Sequence, residues 1–397
     1  MTAPFIGAVF LVWLNLSFRW SLRHHKDHGK GRKAKLEGNN IMAEKKKNPI
    51  ATAGAAMRKA AADAGLLANH DYLYAERVRQ LFKKNDDIRD SGLTVPDDVA
   101  RVTGLKYGTD PAQVLDIYYP AGADKALPAI VSVHGGGFVY GDKERYQYYC
   151  MSLAQRGFAV VNFSYRLAPE HRFPAQLEDT NLVMRYISGH GAEAAGGCMP
   201  EDTAGEGTVA NAAKNEGAGS DSARHDAAAG TALRMIDLNN LFMVGDSAGA
   251  MLASQYCAAL SNPAYARTLG LDLPPVRIRA CALNCGLYAF DPRKDKMMAR
   301  CYFDGPAEDY TDRMDIGGSI TKDFPPAFIM TSTGDFLQAR AEPFAAILAR
   351  EGAEYELHVY GDMKNRPGHV FHCNMKDPLA KRCNDDECAF FLRHTQR

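Results

Sequence analysis

The hydrophobic pattern of the chain changes at about Pro96. Before it, in residues 51–91, apolar positions recur every three to four residues, which predicts amphipathic helices. After it, short runs rich in β-branched and aromatic residues alternate with helical stretches. The predicted strands are residues 114–119, 129–133, 159–163, 241–244, 280–284, 327–331 and 355–360, and the predicted helices are residues 146–155, 175–187, 248–260, 341–350 and 378–393. This alternation is typical of the α/β class, a mostly parallel sheet with helices on both faces.

The pattern divides the chain into regions. Residues 42–100 are predicted to form a helical lid or cap, and the alternative is a plain helical extension packed on the core. Residues 101–397 are predicted to form one α/β domain. Within it, residues 188–231 are rich in small and polar residues and contain almost no large apolar side chain, so we expect a flexible surface insertion there.

Composition supports one large folded domain. Of the 397 residues, 46% are hydrophobic and 24% are charged, which is enough apolar material for a sizeable core. The 47 basic residues balance 47 acidic ones, so the net charge gives no reason to expect nucleic acid as a partner. A small molecule is the expected ligand. The nine cysteines show no regular spacing and are expected to be free thiols in a reducing compartment.

The first 41 residues form a separate region. Residues 5–18 are largely apolar, but a membrane-spanning helix needs about 20 such residues, and no cleavage site indicates a secretory signal. The segment that starts at Met42 resembles an ordinary cytosolic start. Residues 1–41 are therefore either an over-extended leader on a cytoplasmic protein or a weak membrane anchor through residues 5–22.

One pentapeptide indicates nucleophilic chemistry. The buried-strand run of residues 241–244 leads into Gly245-Asp246-Ser247-Ala248-Gly249, and helix-forming residues follow. A Ser at a tight turn from a strand to a helix, with glycine two positions to either side, is typical of an exposed catalytic nucleophile. Ser247 is the candidate. The alternative is a serine that only caps the helix.

A glycine loop supplies candidate donors for an oxyanion. The predicted strand 129–133 ends in His134-Gly135-Gly136-Gly137-Phe138. Backbone amides in such a loop suit stabilisation of a negatively charged acyl oxygen, together with the amide of Ala248. We expect the amides of Gly135, Gly136, Gly137 and Ala248 to form the oxyanion hole, and the alternative is a merely flexible turn.

The acid and the base are expected downstream of the nucleophile. Asp335 follows the predicted strand 327–331, and His369 lies in the loop after the predicted strand 355–360. This gives the chain order Ser, acid, His. We expect His369 to accept the Ser247 proton and Asp335 to orient it. His372 and His358 are the competing bases, and Asp362 is the competing acid.

No metal or cofactor is expected. The C-terminal segment contains several potential ligands, but they lack paired C-x-x-C spacing and are attributed to a Cys-bearing helix instead of a zinc site. These are His369, His372, Cys373, Cys383 and Cys388. The chain also lacks a phosphate-binding loop with Lys-Ser or Lys-Thr.

Three motifs in order resemble the hormone-sensitive-lipase-like esterases of the α/β-hydrolase fold. They are His134-Gly135-Gly136-Gly137-Phe138, Tyr165-Arg166-Leu167-Ala168-Pro169-Glu170 and Gly245-Asp246-Ser247-Ala248-Gly249. The resemblance implies an eight-stranded core, a Ser-Asp-His triad, hydrolysis of short-chain acyl esters, and oxyanion donation by Gly136, Gly137 and Ala248. The sequence departs from the family pattern at Ala250 and after Asp335, which affects the expected acyl pocket. Arg166 and Glu170 are expected to form an ion pair that braces their loop.

The leading hypothesis is a serine esterase that acts through an acyl-enzyme on a small ester. One alternative is an amidase or peptidase on the same scaffold, and another is a hydrolase-fold protein that binds a small ligand without turnover. A homodimer is a further expectation, and a membrane contact is expected only if the leader is an anchor.

Overall fold

The computed structural model describes residues 66–189, 227–291 and 293–396. The predictions for residues 1–41, for the helical pattern of residues 51–65 and for most of the insertion at residues 188–231 lie outside the described residues. Asp71–Arg397 forms one compact unit, which contains the whole sheet.

Eight strands form one mostly parallel sheet. They are β1 (Val99–Lys106), β2 (Val114–Pro120), β3 (Leu127–Val133), β4 (Ala159–Phe163), β5 (Ile236–Asp246), β6 (Ile278–Asn284), β7 (Ala327–Ser332) and β8 (Tyr355–Tyr360). Their order in the sheet is β1-β2-β4-β3-β5-β6-β7-β8. Strand β2 is antiparallel to β1 and β4, and the other neighbours are parallel. The predicted eight-stranded, mostly parallel sheet is confirmed.

Helices connect these strands, and the five predicted helices are present at nearly the predicted bounds. The helices are α1 (Leu66–Asp90), α2 (Lys143–Ala154), α3 (Ala175–Ile187), α4 (Ala248–Ser261), α5 (Pro263–Leu269), α6 (Lys296–Tyr302), α7 (Thr311–Met314), α8 (Ile316–Ser319), α9 (Ala341–Glu351) and α10 (Pro378–Arg393). Residues 227–234 are also helical. Within the described ranges, none of the helices combines the length and the apolar character needed to cross a membrane.

The core lies on both faces of the sheet. Neighbouring residues of the central strands belong to two separate hydrophobic clusters, because successive side chains of a strand point to opposite faces. The pairs Ile130 and Val131, Phe242 and Met243, Ala282 and Leu283, and Phe328 and Ile329 each divide in this way. Side chains of α3, α4 and α9 join one cluster, and side chains of α2 and α10 join the other. Burial on both faces explains why these strands have nearly continuous apolar sequences.

Strand β1 was not predicted from the sequence. It is one of the two edge strands, it pairs only with β2 among the described strands, and most of its side chains are at least partly exposed. Its sequence, Val-Ala-Arg-Val-Thr-Gly-Leu-Lys, therefore has no continuous apolar run. Strand β5 also begins earlier than expected, at Ile236, because polar residues such as the exposed Asn239 interrupt the apolar pattern before residue 241.

The expected ion pair between Arg166 and Glu170 is wrong. Arg166 instead pairs with the buried Asp179 of α3, at 2.7 Å. Glu170 pairs with Arg79 of α1, at 2.6 Å. Arg79 also donates to the carbonyl oxygens of Val139, at 2.8 Å, and Ala168, at 3.1 Å. The loop is therefore braced by ion pairs to α1 and α3, and Arg79 also ties α1 to Val139, just after the triple glycine.

Candidate active site

Ser247 lies at the turn between β5 and α4, as the sequence predicts. Its backbone has φ 54° and ψ −116°, a strained conformation for a residue with a side chain. A Cβ atom at Gly245 would lie 2.3 Å from the carbonyl oxygen of Gly249, and one at Gly249 would lie 2.1 Å from that of Val133. Both positions therefore require glycine. Within the described part of the chain, the Ser247 side chain makes no capping hydrogen bond to α4, which argues against the helix-cap alternative.

The end of β6 holds the Ser247 turn in place. The Ser247 amide donates to the carbonyl oxygen of Asn284, at 2.9 Å, and the Leu287 amide donates to the carbonyl oxygen of Ser247, at 3.0 Å. The turn is thus fixed from one side by the strand that runs beside β5. Because the strain of the turn is held by these bonds, the serine is positioned before any substrate binds.

The triple-glycine loop follows β3 and has an unusual backbone. Gly136, Gly137 and Phe138 all have positive φ, at 108°, 62° and 65°. Phe138 is held in this conformation by stacking on Tyr302, with ring centroids 3.8 Å apart. Among the backbone hydrogen bonds of the described residues, none uses the amides of Gly136 and Gly137. Ala248 is the first residue of α4, so its amide has no acceptor within the helix.

Gly135 is placed differently from the next two glycines. Its amide donates to the hydroxyl of Tyr146, at 3.0 Å, and that hydroxyl donates to the carboxyl of Asp246, at 2.8 Å. Burial raises the pKa of Asp246 to about 6, although the Tyr146 hydrogen bond acts against this. Tyr146 therefore links the glycine loop to the residue before Ser247 and occupies the Gly135 amide.

The structure brings together the predicted acid and base. Nδ1 of His369 lies 2.7 Å from Oδ1 of Asp335. The Asp335 carboxylate also accepts from the hydroxyl of Thr331, at 2.8 Å, and the amide of Leu337, at 2.9 Å. Burial alone would raise the pKa of Asp335, but the charge of His369 and these hydrogen bonds outweigh it and hold the pKa below its usual value. Asp335 is therefore ionised and faces the imidazole.

The two loops that carry this pair are joined by their backbones. Gly334 forms an isolated bridge with Gly368, and the Gly334 amide donates to the carbonyl oxygen of Pro367, at 3.1 Å. The Ser332 hydroxyl donates to the same carbonyl, at 2.8 Å. These contacts fix the distance between the acid and the histidine.

The competing residues lie in other environments. His372 is fully buried, and burial lowers its pKa to about 3, so it remains neutral. His358 lies on β8 and its Nε2 is 3.0 Å from Glu356. Asp362 is exposed and accepts the amides of Lys364 and Asn365 as part of a turn. The structure joins none of the three to Asp335 or His369 by a hydrogen bond within the described residues.

Cysteines contribute to this site in a way that the sequence did not indicate. The eight cysteines of the described ranges are all buried and unpaired. In those ranges, one group of potential metal ligands lies close enough together to share an ion. It consists of Cys285, Asp335 and His369. Of the C-terminal candidate ligands, only His369 belongs to this group in the described ranges, and His372, Cys373, Cys383 and Cys388 do not. Cys285 lies beside His369. The residue before it, Asn284, supports the Ser247 turn.

A buried polar network lies behind the Ser247 turn. Glu387 of α10 accepts from the hydroxyl of Tyr149, at 2.7 Å, and from the side-chain amide of Asn284, at 2.6 Å. Burial raises the pKa of Glu387 to about 7. No local sequence pattern indicates this contact, because Glu387 is separated from both partners by more than a hundred residues.

Replacing Glu387 with glutamine is expected to change how stability depends on pH. The folded protein binds the Glu387 proton more tightly than the unfolded chain, so the free energy of unfolding falls as pH rises from about 4.5 to about 7. Glutamine removes this fall, which is on the order of 3 kcal/mol. Asn284 Oδ1 has no partner among the described residues, so a flip of that amide can accept the new donor.

Urea denaturation of both proteins near pH 5 and near pH 8 measures this effect. The variant should gain stability relative to the wild type as pH rises, whereas Glu342→Gln, at an exposed position of α9, should follow the wild type. Equal pH dependence in Glu387→Gln and the wild type would contradict the expectation.

Comparisons with known proteins agree with the fold. Residues 130–372 match a family model described as α/β hydrolase fold. The chain is 41% identical over 80 residues to esterase LipI of Mycobacterium tuberculosis, over 19% of this chain and 25% of that protein. It is 24% identical over 325 residues to the ethyl acetate hydrolase of Pseudomonas putida, over 79% of this chain and 89% of that protein.

A solved structure shows the same architecture over most of the chain. Esterase B from Lactobacillus rhamnosis superimposes with a TM-score of 0.66 and 20% identity, covering 82% of this chain and 96% of that one. At this identity the likeness shows the fold alone. The first curated relatives are matched over only about a quarter of their length.

Proposed function

Since the chain belongs to the α/β-hydrolase family, in its hormone-sensitive-lipase-like branch, we propose that it is a serine esterase that hydrolyses short-chain acyl esters with Ser247 as the nucleophile. The observation that carries the proposal is the 2.7 Å contact between His369 and Asp335, in a site where Ser247 lies on a strained turn after a parallel strand.

In the proposed reaction, Nε2 of His369 takes the proton of Ser247 as its oxygen attacks the ester carbonyl carbon. Asp335 accepts the hydrogen bond from Nδ1–H and so leaves the lone pair of His369 on Nε2, where it can take the Ser247 proton. The carbonyl oxygen becomes negative and accepts hydrogen bonds from the amides of Gly136, Gly137 and Ala248. We leave the Gly135 amide out of this set because Tyr146 occupies it.

Release of the alcohol completes the first half of the reaction. His369 returns the proton to the leaving alkoxide, and an acyl-enzyme on Ser247 remains. A water molecule then gives its proton to His369 and attacks the acyl carbon, and the acid leaves with Ser247 restored. Asp335 stays ionised throughout, which its lowered pKa supports.

Short acyl chains fit the surroundings of the glycine loop. The Met298 sulfur lies 3.6 Å from the place that a Cβ of Gly137 would take. Phe138, the last residue of the loop, forms a stacked aromatic group with Phe290 and Tyr302. The Met298 side chain therefore limits the space beside the proposed oxyanion donor Gly137. Half-exposed Phe336 lies against His369, with ring centroids 4.2 Å apart, and supplies an apolar surface for the substrate. Similarity to an ethyl acetate hydrolase supports the proposed preference for short acyl chains.

A series of p-nitrophenyl esters tests the proposal. We expect kcat/KM to be highest for acetate and butyrate and to fall for octanoate and laurate, with an initial burst of nitrophenol from acyl-enzyme formation. A fluorophosphonate should label the peptide that contains Ser247, as read by mass spectrometry. Preference for octanoate or longer esters would contradict the short-chain part, and absence of both turnover and label would favour a binding protein.

A further inference from the structure

Three different kinds of metal ligand meet beside the proposed triad. The sulfur of Cys285, a carboxylate oxygen of Asp335 and a ring nitrogen of His369 all lie within 4.8 Å of one another. Thiolate, carboxylate and imidazole are the ligand types that Zn²⁺ binds in proteins, whereas Mg²⁺ and Ca²⁺ require oxygen ligands. We propose that this cluster is an inhibitory binding site for Zn²⁺.

The position of Cys285 is set by the ends of two strands. The residue follows β6 with φ 48°, in the left-handed region, and its amide donates to the carbonyl oxygen of Met330 on β7, at 2.6 Å. This places its sulfur 4.0 Å from the Met330 sulfur, a further soft donor. Donor atoms around one tetrahedral Zn²⁺ lie roughly 3.5 Å apart, so side-chain rotations of about 1 Å close the site.

Charge and access both suit a divalent cation. Asp335 is ionised, and Cys285 loses its thiol proton to solvent when the ion binds, so the two negative charges balance Zn²⁺ in a buried position. Cys285 and Asp335 are buried, but 18% of the His369 side chain is exposed. The ion therefore reaches the site from the side of His369, where the substrate is proposed to bind.

Inhibition follows from the chemistry of imidazole and rests on the proposed function. A neutral imidazole has one free lone pair, and the mechanism uses it on Nε2 to accept the Ser247 proton. If Zn²⁺ binds Nε2, it takes that lone pair directly. If it binds Nδ1, the ring proton moves to Nε2, which can no longer accept. Either mode removes the base, so binding of the ion and catalysis exclude each other.

Binding is tested separately from activity with Cd²⁺, which has similar ligand preferences and gives an ultraviolet charge-transfer band with thiolate. We expect Cd²⁺ to produce this band in the wild-type protein and in Ser247→Ala, and the band to lose one thiolate's contribution in Cys285→Ser and Cys285→Ala. Cys388→Ser, at another buried cysteine, should keep the full band. An unchanged band in both Cys285 variants would overturn the site.

Inhibition is tested with Zn²⁺ alone, with each variant's rate expressed relative to its own rate in a chelator. The Zn²⁺ concentration for half inhibition should rise about tenfold or more in the Cys285 variants and stay at the wild-type value in Cys388→Ser. Equal sensitivity of Cys285→Ser and wild type would overturn the proposal. Persistence of esterase turnover in Ser247→Ala would instead refute the proposed function, while the Cd²⁺ band would still report on the metal site.

Discussion

Ser247→Ala is expected to lower kcat for p-nitrophenyl acetate by at least about 10⁴-fold, because no other group replaces the attacking oxygen. The substitution keeps Cβ, so the turn at φ 54° carries the same strain as before. The serine hydroxyl makes no capping hydrogen bond in the described structure, and its loss should leave the melting temperature nearly unchanged. Initial rates and thermal unfolding of the same preparation measure both effects.

A serine on the same helix provides the matched control. Ser261 lies at the end of α4 and donates to the carbonyl oxygen of Cys257, at 2.9 Å. Ser261→Ala should keep the wild-type rate and change stability only slightly. If Ser247→Ala turns over substrate at a rate similar to Ser261→Ala, Ser247 is not the nucleophile.

The second large effect is expected for Asp335→Asn, with kcat lower by roughly 10³- to 10⁴-fold. An asparagine amide can donate to Nδ1 of His369, which places the ring proton on Nε2 and removes the acceptor for the serine proton. KM should change little, because Asp335 is buried behind the histidine and the proposed substrate site lies on the other side of the ring. Steady-state kinetics separate the two constants.

Asp362→Asn is the control for this prediction, since Asp362 was the competing acid. It is exposed and accepts two backbone amides of its own turn. Its replacement should leave kcat near the wild-type value. The opposite result, a large loss in Asp362→Asn and a small one in Asp335→Asn, would exchange the roles of the two carboxylates.

The strands inside the sheet were predictable because a strand that is buried on both faces has a continuous run of apolar residues. Strand β4, Ala-Val-Val-Asn-Phe, and strand β7, Ala-Phe-Ile-Met-Thr-Ser, are buried at every position. Edge strand β1 has no such run, since most of its side chains are at least partly exposed to solvent. Short helices such as α6 were missed because seven residues contain too few turns for a helical period to appear.

Residues of the site were predictable where a local pattern exists. Ser247 and the glycine loop stand at strand ends within short motifs, and Asp335 and His369 occupy the expected loops. Tyr146 and Glu387 have no local pattern, because their roles come from contacts with Asp246 and Asn284 far along the chain. The pairing expected between Arg166 and Glu170 failed for the same reason, since α1 and α3 supply nearer partners.

The crowded backbone around Gly245 and Gly249 limits how this member of the α/β-hydrolase family can diversify. Even a methyl group at Gly245 would overlap the carbonyl oxygen of Gly249, at 2.3 Å, and one at Gly249 would overlap that of Val133, at 2.1 Å. Random mutagenesis should therefore recover no active variants there, whatever the substrate used for selection. New specificities would have to arise at side chains near the turn that are not fully buried, and the partly buried Met298 and the half-exposed Phe336 are such positions.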